Sequence, residues 1–185
     1  VVIVGISKNS GKTSFLNWLV AELKGLRLGV LTTGRDGEEF DLLEKTSKPK
    51  VALPAGTFFS CLASEIQKHS PFLTVLEKTG YKASGHNIWL VKAESDLEVE
   101  IVGPPTVNDQ IKLAEKMLQY GAEYVIIDGS LDRKAISTSD KIDSIIVVGG
   151  AAFGHILAIK KEFSRFQFLS QILQLQDKKL RHELA

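Results

Sequence analysis

Short apolar runs rich in β-branched residues alternate along this chain with segments whose apolar residues recur at helical spacing. Runs dominated by apolar residues, which predict buried strands, cover residues 1–4, 26–32, 124–129 and 144–148, and the first of them is apolar throughout. The helical pattern covers residues 14–24, 106–120 and a C-terminal segment from about residue 154. This alternation predicts an α/β fold, with a mostly parallel sheet and helices on both faces, formed by residues 1–185 as a single domain.

The middle of the chain has a different pattern. Residues 49–53 predict a third short strand, Thr57 is a suitable N-cap for a helix reaching about residue 68, and residues 72–76 favour a strand. Two further strand-like runs, 87–91 and 97–101, flank a polar turn, and the second run alternates apolar and charged residues. These two runs predict a hairpin over 87–101 at the edge of the sheet.

The segment from Gly5 to Thr13 lies between the first predicted strand and the first predicted helix. Gly11-Lys12-Thr13 fits the end of the Walker A pattern, but Ile6 occupies the position of its first glycine, and Gly5 comes one residue early. A loop at a helix N-terminus still offers backbone N–H groups to an anion. Lys12 can reach the β- and γ-phosphates of a nucleotide, and the Thr13 hydroxyl can bind Mg²⁺. The candidate phosphate-binding residues are Ser7, Lys8, Asn9, Ser10, Gly11, Lys12, Thr13 and Ser14. The alternative is a glycine turn before a surface helix, with Lys12 merely solvated.

Two carboxylates follow predicted strands and are candidates for the shell of a Mg²⁺ ion. Asp128 ends an apolar strand, as in the Walker B arrangement, although an aspartate before glycine also commonly starts a turn. Asp36 lies in the polar loop after the second strand, with Glu38 and Asp41 as further candidates, and a solvated acidic loop is the alternative. The expected metal ligands are therefore Thr13, Asp36 and Asp128, and the expected catalytic residues are Lys12, Asp36 and Asp128.

Other loops are expected at the same edge of the sheet, beyond the carboxyl ends of the strands. Arg35 can stabilise charge on a transferring phosphoryl group or pair with a surface carboxylate. Residues 130–134 are densely charged, which fits either a site loop or a solvated turn. Gly149-Gly150 follows the last strand and allows a close approach of backbone, either to a nucleotide base or between a helix and the sheet.

Composition narrows the function classes. The 185 residues carry a formal net charge of +1, so no strong field favours nucleic acid or an acidic membrane surface as a partner. The single cysteine, Cys61, cannot form an internal disulfide and is expected to be a small buried residue, which favours a reducing cytoplasm. No apolar run has the length of a membrane span, and the four histidines have no metal-ligand spacing.

The segment Lys8-Asn9-Ser10-Gly11-Lys12-Thr13 resembles the phosphate loop of a branch of the P-loop NTPases. This branch includes molybdopterin-guanine-dinucleotide biosynthesis protein B, dethiobiotin synthetase and the cobyrinate amidases. The resemblance is confined to the first strand, loop and helix. It implies a parallel sheet, and often a homodimer with the sites near the interface.

A second resemblance extends over more of the chain. It rests on Gly34-Arg35-Asp36-Gly37-Glu38, Lys48-Pro49, Gly56-Thr57, Gly103-Pro104 and Asp128 to Arg133. These motifs are similar to those of the reactivase subunits that accompany lysine 5,6-aminomutase or D-ornithine aminomutase. The resemblance implies an ATP-driven protein that acts on a cobalamin-dependent partner enzyme.

Three functions are compatible with these residues. The first is Mg²⁺-dependent binding and slow hydrolysis of a nucleoside triphosphate, coupled to a partner enzyme. The second is an ATP-dependent ligase or kinase for a small acid, with Arg35, Arg133 and Lys134 beside the γ-phosphate. The third is a nucleotide-binding adaptor without turnover. ATP is expected through the resemblance, and GTP remains an alternative, although the sequence has no guanine-reading Asn-Lys-x-Asp motif.

Overall fold

The structure, a computed structural model, describes residues 1–7, 10–32, 50–129 and 141–172, but not the side chains of residue 152 and residues 169–172. Its elements in chain order are β1 (Val2–Gly5), α1 (Lys12–Glu22), β2 (Leu28–Thr32), β3 (Val51–Leu53), β4 (Phe58–Leu62), α2 (Ala63–His69), β5 (Leu73–Ala83), β6 (His86–Ala93), β7 (Leu97–Val99), α3 (Val107–Gln119), β8 (Tyr124–Asp128), β9 (Ile145–Val148), a 3₁₀ turn (Ala151–Phe153) and α4 (Ile156–Ile172).

Seven of these strands form one sheet in the order β5-β6-β4-β2-β8-β1-β9. Five neighbouring strands of this sheet pair in parallel, in the order β4, β2, β8, β1 and β9. By contrast, β6 pairs antiparallel with β4, and β5 pairs antiparallel with β6. The prediction of an α/β fold with a mostly parallel sheet is therefore confirmed. The antiparallel pair occupies one end of the sheet, and β9 is the outermost strand at the other end among the described residues.

Helices cover both faces of the parallel strands. Side chains alternate across a strand, so Ile3 faces one side of the sheet and its neighbours Val2 and Val4 face the other. Ile3 belongs to the core cluster that contains Leu16 of α1, whereas Val2 and Val4 belong to the cluster that contains Met117 of α3. The strands β1, β2 and β8 are largely buried on both faces for this reason, whereas β9 is only partly buried and its Ile145 is exposed.

The local signals for α3 act as expected. Thr106 is the N-cap, and its hydroxyl oxygen accepts a hydrogen bond from the backbone N–H of Asp109 at 3.2 Å. The Thr106 hydroxyl in turn donates to the Asp109 carboxylate at 2.7 Å. A capped first turn of this kind typically stabilises a helix by about 1 kcal/mol.

The predicted edge hairpin over residues 87–101 is wrong. β6 pairs with β5, and β7 pairs instead with β3 in a separate two-stranded sheet. The edge hairpin is thus β5–β6, and its turn is Ser84-Gly85, where both residues have positive φ. Two successive positive φ values are typical of the tight turns that match the twist of a hairpin. The Ser-Gly dipeptide was the sequence signal for this turn.

The helix predicted from Thr57 to about residue 68 is also wrong over its first part. Phe58–Leu62 is the buried strand β4, and the helix begins only at Ala63. Short apolar runs do not distinguish a strand from a buried helix, and here pairing with β2 and β6 on both sides decides in favour of the strand.

The small sheet β3–β7 lies against α1. Asn17 on α1 accepts a hydrogen bond through Oδ1 from the backbone N–H of Ala52 at 3.1 Å, and Lys24 forms an exposed ion pair with Asp96 at 3.1 Å. Val51 and Val99 extend the core cluster that α1 covers. The strand predicted at residues 49–53 therefore exists as β3, but it lies outside the main sheet.

The segment that precedes α3 packs against β4 and against the end of β2. Ser60 on β4 accepts a hydrogen bond from the backbone N–H of Val102 at 2.9 Å, and its buried hydroxyl donates back to the Val102 carbonyl at 2.6 Å. Gly103 lies directly against the carbonyl of Thr32, such that a Cβ there would sit 1.8 Å from the Thr32 oxygen. Only glycine leaves room for this close approach of the two backbone segments.

Two simpler expectations can be compared directly. Cys61 is fully buried, as expected, and burial raises the pKa of its thiol to about 12, with the nearby Glu65 carboxylate adding to the rise. In the part of the chain that the structure describes, no helix is long and apolar enough to cross a membrane.

Replacement of Gly103 tests its close approach to the Thr32 carbonyl. We expect Gly103→Ala to destabilise the fold by roughly 2–4 kcal/mol, because its Cβ would overlap the Thr32 carbonyl and both neighbouring strands are fixed by pairing. Urea unfolding followed by circular dichroism measures the change. Asn108→Ala, at an exposed position in the next helix, serves as the control. Equal stability of the two variants would contradict the close approach of Gly103 to Thr32.

Candidate functional site

The carboxyl ends of the central strands bring the predicted site residues to one edge of the sheet. β1 ends at Gly5, β2 at Thr32 and β8 at Asp128, and all three strands are parallel. In register, Asp128 stands opposite Thr32 on one side and Ile3 on the other. The segment after β1 therefore begins beside Asp128, and it leads into the N-terminus of α1.

Gly5 gives this segment its tight shape. A Cβ at Gly5 would lie 2.3 Å from the Ser10 hydroxyl oxygen and 2.9 Å from the Lys12 ammonium nitrogen. Both side chains thus fold back over the end of β1 into the space that a larger residue would occupy. The ammonium group of Lys12 is held over the loop by this packing.

The N-terminus of α1 opens toward the same place. Gly11 is the N-cap residue with φ 86° and ψ 16°, the left-handed region that favours glycine. Within the described part of the chain no side chain caps the helix there, and its first turn, Lys12-Thr13-Ser14, contains no acidic residue. The first N–H groups of a helix lack partners within the helix, so this end of α1 is suited to an anion.

Two buried polar atoms beside the loop have no hydrogen-bond partner among the residues that the structure describes. They are the hydroxyl oxygen of Ser10, whose residue is only 3% exposed, and Oδ1 of Asp128. Unpaired buried polar atoms are uncommon in proteins because each is costly, and they indicate a missing partner such as a ligand or water.

Asp128 is influenced by two opposing effects. Burial raises the pKa of its carboxyl above the ordinary value, and the positive charge of Lys12 partly offsets the rise. A carboxylate that pays a desolvation cost beside a lysine is suited to accept further positive charge. Perturbed groups of this kind occur more often at functional sites than elsewhere.

Gly149 and Gly150 allow the chain after β9 to lie against the loop. A Cβ at Gly150 would lie 2.7 Å from the carbonyl oxygen of Ser10, and one at Gly149 would lie 2.9 Å from atoms of both Ile6 and Phe163. Of the two interpretations of this pair, close packing within the protein is the one that these contacts support. Nothing in the sequence pattern of α4 distinguishes Phe163 from the other aromatic residues of that helix, so only the fold shows that it lies beside Gly149.

The remaining candidates fall into two groups. Ser7 is half-buried at the start of the loop, Thr13 is half-buried in the first turn of α1, and Ser14 in the same turn is exposed. The other candidates lie outside the described residues: Lys8, Asn9, Arg35, Asp36, Glu38, Asp41, Arg133 and Lys134. The structure therefore brings together Ser10, Gly11, Lys12, Thr13 and Asp128, and the roles of the other residues stay predictions.

The groups that meet here match the chemistry of a phosphate with a hydrated Mg²⁺ ion. Unpaired N–H groups and the Lys12 ammonium suit phosphate oxygens, and Thr13 and Asp128 supply the oxygen ligands that Mg²⁺ prefers. Among residues 1–7, 10–32, 50–129 and 141–172, no group of three or more His, Cys, Asp or Glu side chains could hold a metal ion. A Mg²⁺ ion would accordingly depend on one carboxylate from the described part, together with the phosphate itself.

Two cavities lie away from this edge. One of about 690 Å³ lies along α4 and includes Phe153, Arg165 and Phe168 in its wall, and one of about 310 Å³ lies between α1 and the small sheet. Neither includes Lys12 or Asp128. The groups that meet at the candidate site include backbone N–H groups of α1, which commonly form anion sites at helix N-termini.

Comparisons of the chain with protein-family models, with characterised proteins and with solved structures found no match.

The burial of Asp128 leads to a stability prediction. The folded-state pKa of Asp128 is raised, so its protonated carboxyl contributes to stability at pH values below the ordinary aspartate pKa. This contribution is lost as pH rises through the folded-state pKa. We therefore expect Asp128→Asn, which keeps the shape without the buried charge, to melt a few degrees above the ligand-free wild type at pH 7. The difference should shrink near pH 4, and thermal melts at both values measure it.

Asp96→Asn is the matched control with the opposite sign. A hydrogen bond from the backbone N–H of Ala55 and the neighbouring Lys24 lower the pKa of Asp96, so its contribution is present at pH 7 and lost as pH falls through the lowered value. Asp96→Asn should thus lower the melting temperature at pH 7. A destabilised Asp128→Asn variant would mean that the carboxylate of Asp128 has a structural partner.

Proposed function

We propose that the chain binds the triphosphate of a nucleotide together with Mg²⁺ at the loop between β1 and α1, and hydrolyses it slowly. The observation that carries the proposal is that the Lys12 ammonium and the N-terminus of α1 lie beside two buried oxygens, on Ser10 and Asp128, which have no hydrogen-bond partner among the described residues. The ammonium and the helix N-terminus favour an anion, and the Asp128 carboxylate favours a cation such as Mg²⁺.

Charge supports the same proposal. Lys12 lies over the loop, and its charge acts on Asp128, so a cation and a carboxylate share one small region. A bound triphosphate with its Mg²⁺ would replace the weak electrostatic interaction between Lys12 and Asp128. Its oxygens would face Lys12, and its Mg²⁺ would face Asp128 and Thr13. Both protein charges would then have a closer partner than they have in the free protein.

The chemistry required of the protein is mainly positioning. Mg²⁺, when bound, neutralises charge that develops on the transferring phosphoryl group. In this proposal the N–H groups of α1 and Lys12 hold the phosphate oxygens, and Asp128 orients the metal or one of its waters. Asp36 is the proposed second carboxylate, and its place near Asp128 is an expectation from the sequence. Hydrolysis is expected to be slow without the partner enzyme.

The finer assignment rests on the resemblance stated above. It favours ATP as the nucleotide, a P-loop type of fold, and a partner enzyme of the cobalamin-dependent aminomutase class. In that role, binding and hydrolysis would drive a change in the partner rather than produce a metabolite. Turnover that rises only when such a mutase is added would support this assignment.

Ile6 favours one alternative, a nucleotide-binding adaptor without turnover. Its side chain occupies the position of the first Walker glycine and packs toward Gly149 and Phe163. The loop can then still present N–H groups to phosphate, while its first residues are fixed by packing. Tight binding with no hydrolysis, with or without partner proteins, would favour the adaptor.

Removal of the lysine tests the site. We expect wild-type protein to bind Mg²⁺-ATP or Mg²⁺-GTP, with a Kd between about 1 μM and 1 mM, the range common for enzyme substrates. Lys12→Ala should bind at least about 30-fold more weakly, because a desolvated phosphate would lose its charge partner. Titration calorimetry with both nucleotides measures affinity and identifies the preferred base.

Lys24→Ala is the matched control for that titration. Lys24 follows α1 closely in sequence, but it forms an exposed ion pair with Asp96 away from the loop. Its loss should leave affinity within about two-fold, since exposed pairs contribute little. Unchanged affinity in Lys12→Ala would reject the site, and no binding by the wild type would reject the proposed function.

A second variant separates the metal from the phosphate. We expect Asp128→Asn to reduce the gain in affinity that Mg²⁺ gives by about ten-fold or more, with little effect on binding measured in EDTA. The amide keeps the shape but lacks the negative charge that a hydrated Mg²⁺ ion requires. Equal losses with and without Mg²⁺ would instead give Asp128 a structural role.

A further inference from the structure

Three residues from separate parts of the chain meet at one point beside the phosphate loop. The Cβ that Gly149 lacks would lie 2.9 Å from Cδ1 of Ile6 and 2.9 Å from Cε2 of Phe163. Ile6 is the second residue of the loop segment, Gly149 follows β9, and Phe163 lies in the middle of α4. The space above Gly149 is thus filled from one side by the loop and from the other by α4.

Backbone contacts strengthen this connection. The N–H of Ile6 donates to the Val148 carbonyl at 3.0 Å, which continues the pairing of β1 with β9 into the loop. Gly150 lies against the backbone of Ser10, with no side chain between them. The loop therefore contacts the segment after β9 at two positions, Ile6 and Ser10, on either side of residues 8–9.

The segment after β9 leads directly into α4. The N–H of Phe153 donates to the Gly150 carbonyl at 3.0 Å, forming the 3₁₀ turn Ala151–Phe153, and α4 begins at Ile156. Phe163 is 37% exposed, and Ile156 and Leu157 at the start of the helix are 62% and 69% exposed. Among the contacts described here, those at Gly149 and Gly150 join α4 to the nucleotide loop.

We propose that Ile6 is a positioning residue that couples occupation of the phosphate loop to the packing of α4, through the point above Gly149 where its side chain and the Phe163 ring converge. The inference rests on the proposed function, because it requires a ligand in the loop. It assigns a role to the residue that departs from the Walker pattern: a glycine at position 6 would leave the loop without this contact.

The physical basis is reciprocal. A ligand that binds beside Ser10 would restrict the loop segment that includes Ile6, and the Ile6 side chain lies against Gly149 beside the Phe163 ring. Linkage requires that a ligand which tightens the packing of α4 be bound more tightly, by the same factor, when α4 is packed. Removal of the Phe163 ring should therefore weaken ligand binding by up to that factor. Interfaces that pack closely respond in this way because they cannot deform gradually.

Amide hydrogen exchange of the full chain, with and without saturating Mg²⁺ and inorganic tripolyphosphate, tests the coupling. The probe avoids any dependence on the base. In wild type, the ligand should slow exchange in residues 156–164 by about five-fold or more. In Phe163→Ala the ligand should still bind, about five-fold or more weakly, and at saturation it should change exchange there by no more than about two-fold.

Two further variants guard against a general loss of structure. Phe168→Ala removes an exposed ring from the same helix, and it should retain the wild-type protection. Ile6→Val removes only Cδ1, the atom that reaches Gly149, and it should lose the protection of α4 while its melting temperature stays close to wild type.

The outcomes are distinguishable. Tripolyphosphate binding by wild type without any change in α4, or protection that survives in Phe163→Ala and Ile6→Val, would overturn the coupling and leave the proposed function standing. Failure of wild type to bind tripolyphosphate in the exchange experiment, together with failure to bind ATP and GTP in the calorimetric titration, would overturn the proposed function, and the coupling with it.

Discussion

Parallel pairing of β1 with β8 on one side and β9 on the other is the constraint on which the site depends. Because these strands share a direction, their carboxyl ends meet at one edge, and the register sets Asp128 opposite Ile3. The chain that leaves Gly5 must then pass beside Asp128 on one side and Val148 on the other before α1 begins. The position of the loop follows from backbone hydrogen bonds, without any requirement from the loop residues themselves.

Within that frame, small residues set how closely the parts approach. Gly5 admits the side chains of Ser10 and Lys12, Gly150 admits the backbone of Ser10, and Gly103 admits the carbonyl of Thr32. At each of these positions an added Cβ would lie within 2.7 Å of a neighbouring atom. Their function is close approach, since a side chain at any of them would force neighbouring segments apart. Among the described residues, the Ser10 hydroxyl and Oδ1 of Asp128 are buried without hydrogen-bond partners, which is a cost that the proposed ligand would relieve.

The stability of the free protein and its proposed activity make opposite demands at Asp128. A buried carboxylate is unfavourable unless a positive charge comes close, and Lys12 supplies only part of what is needed. Active sites commonly keep such costs because removing them would remove the function. Most of the fold compensates elsewhere, through the two apolar clusters that α1 and α3 cover on opposite faces of the sheet.

The sequence by itself determined the elements whose signals are local. Apolar runs of β-branched residues predicted β1, β2, β8 and β9, the cap at Thr106 predicted α3, and Gly11-Lys12-Thr13 predicted where α1 and its loop meet. The tertiary structure alone decided which strands pair, because pairing depends on residues far apart in the chain: β7 joins β3, β6 joins β5, and Phe58–Leu62 becomes a strand between two others. It also decided which groups at the site lack partners. Burial of Ser10 and Asp128, and the meeting of Ile6 with Gly149 and Phe163, arise only when the sheet edge, the loop and α4 are assembled in space.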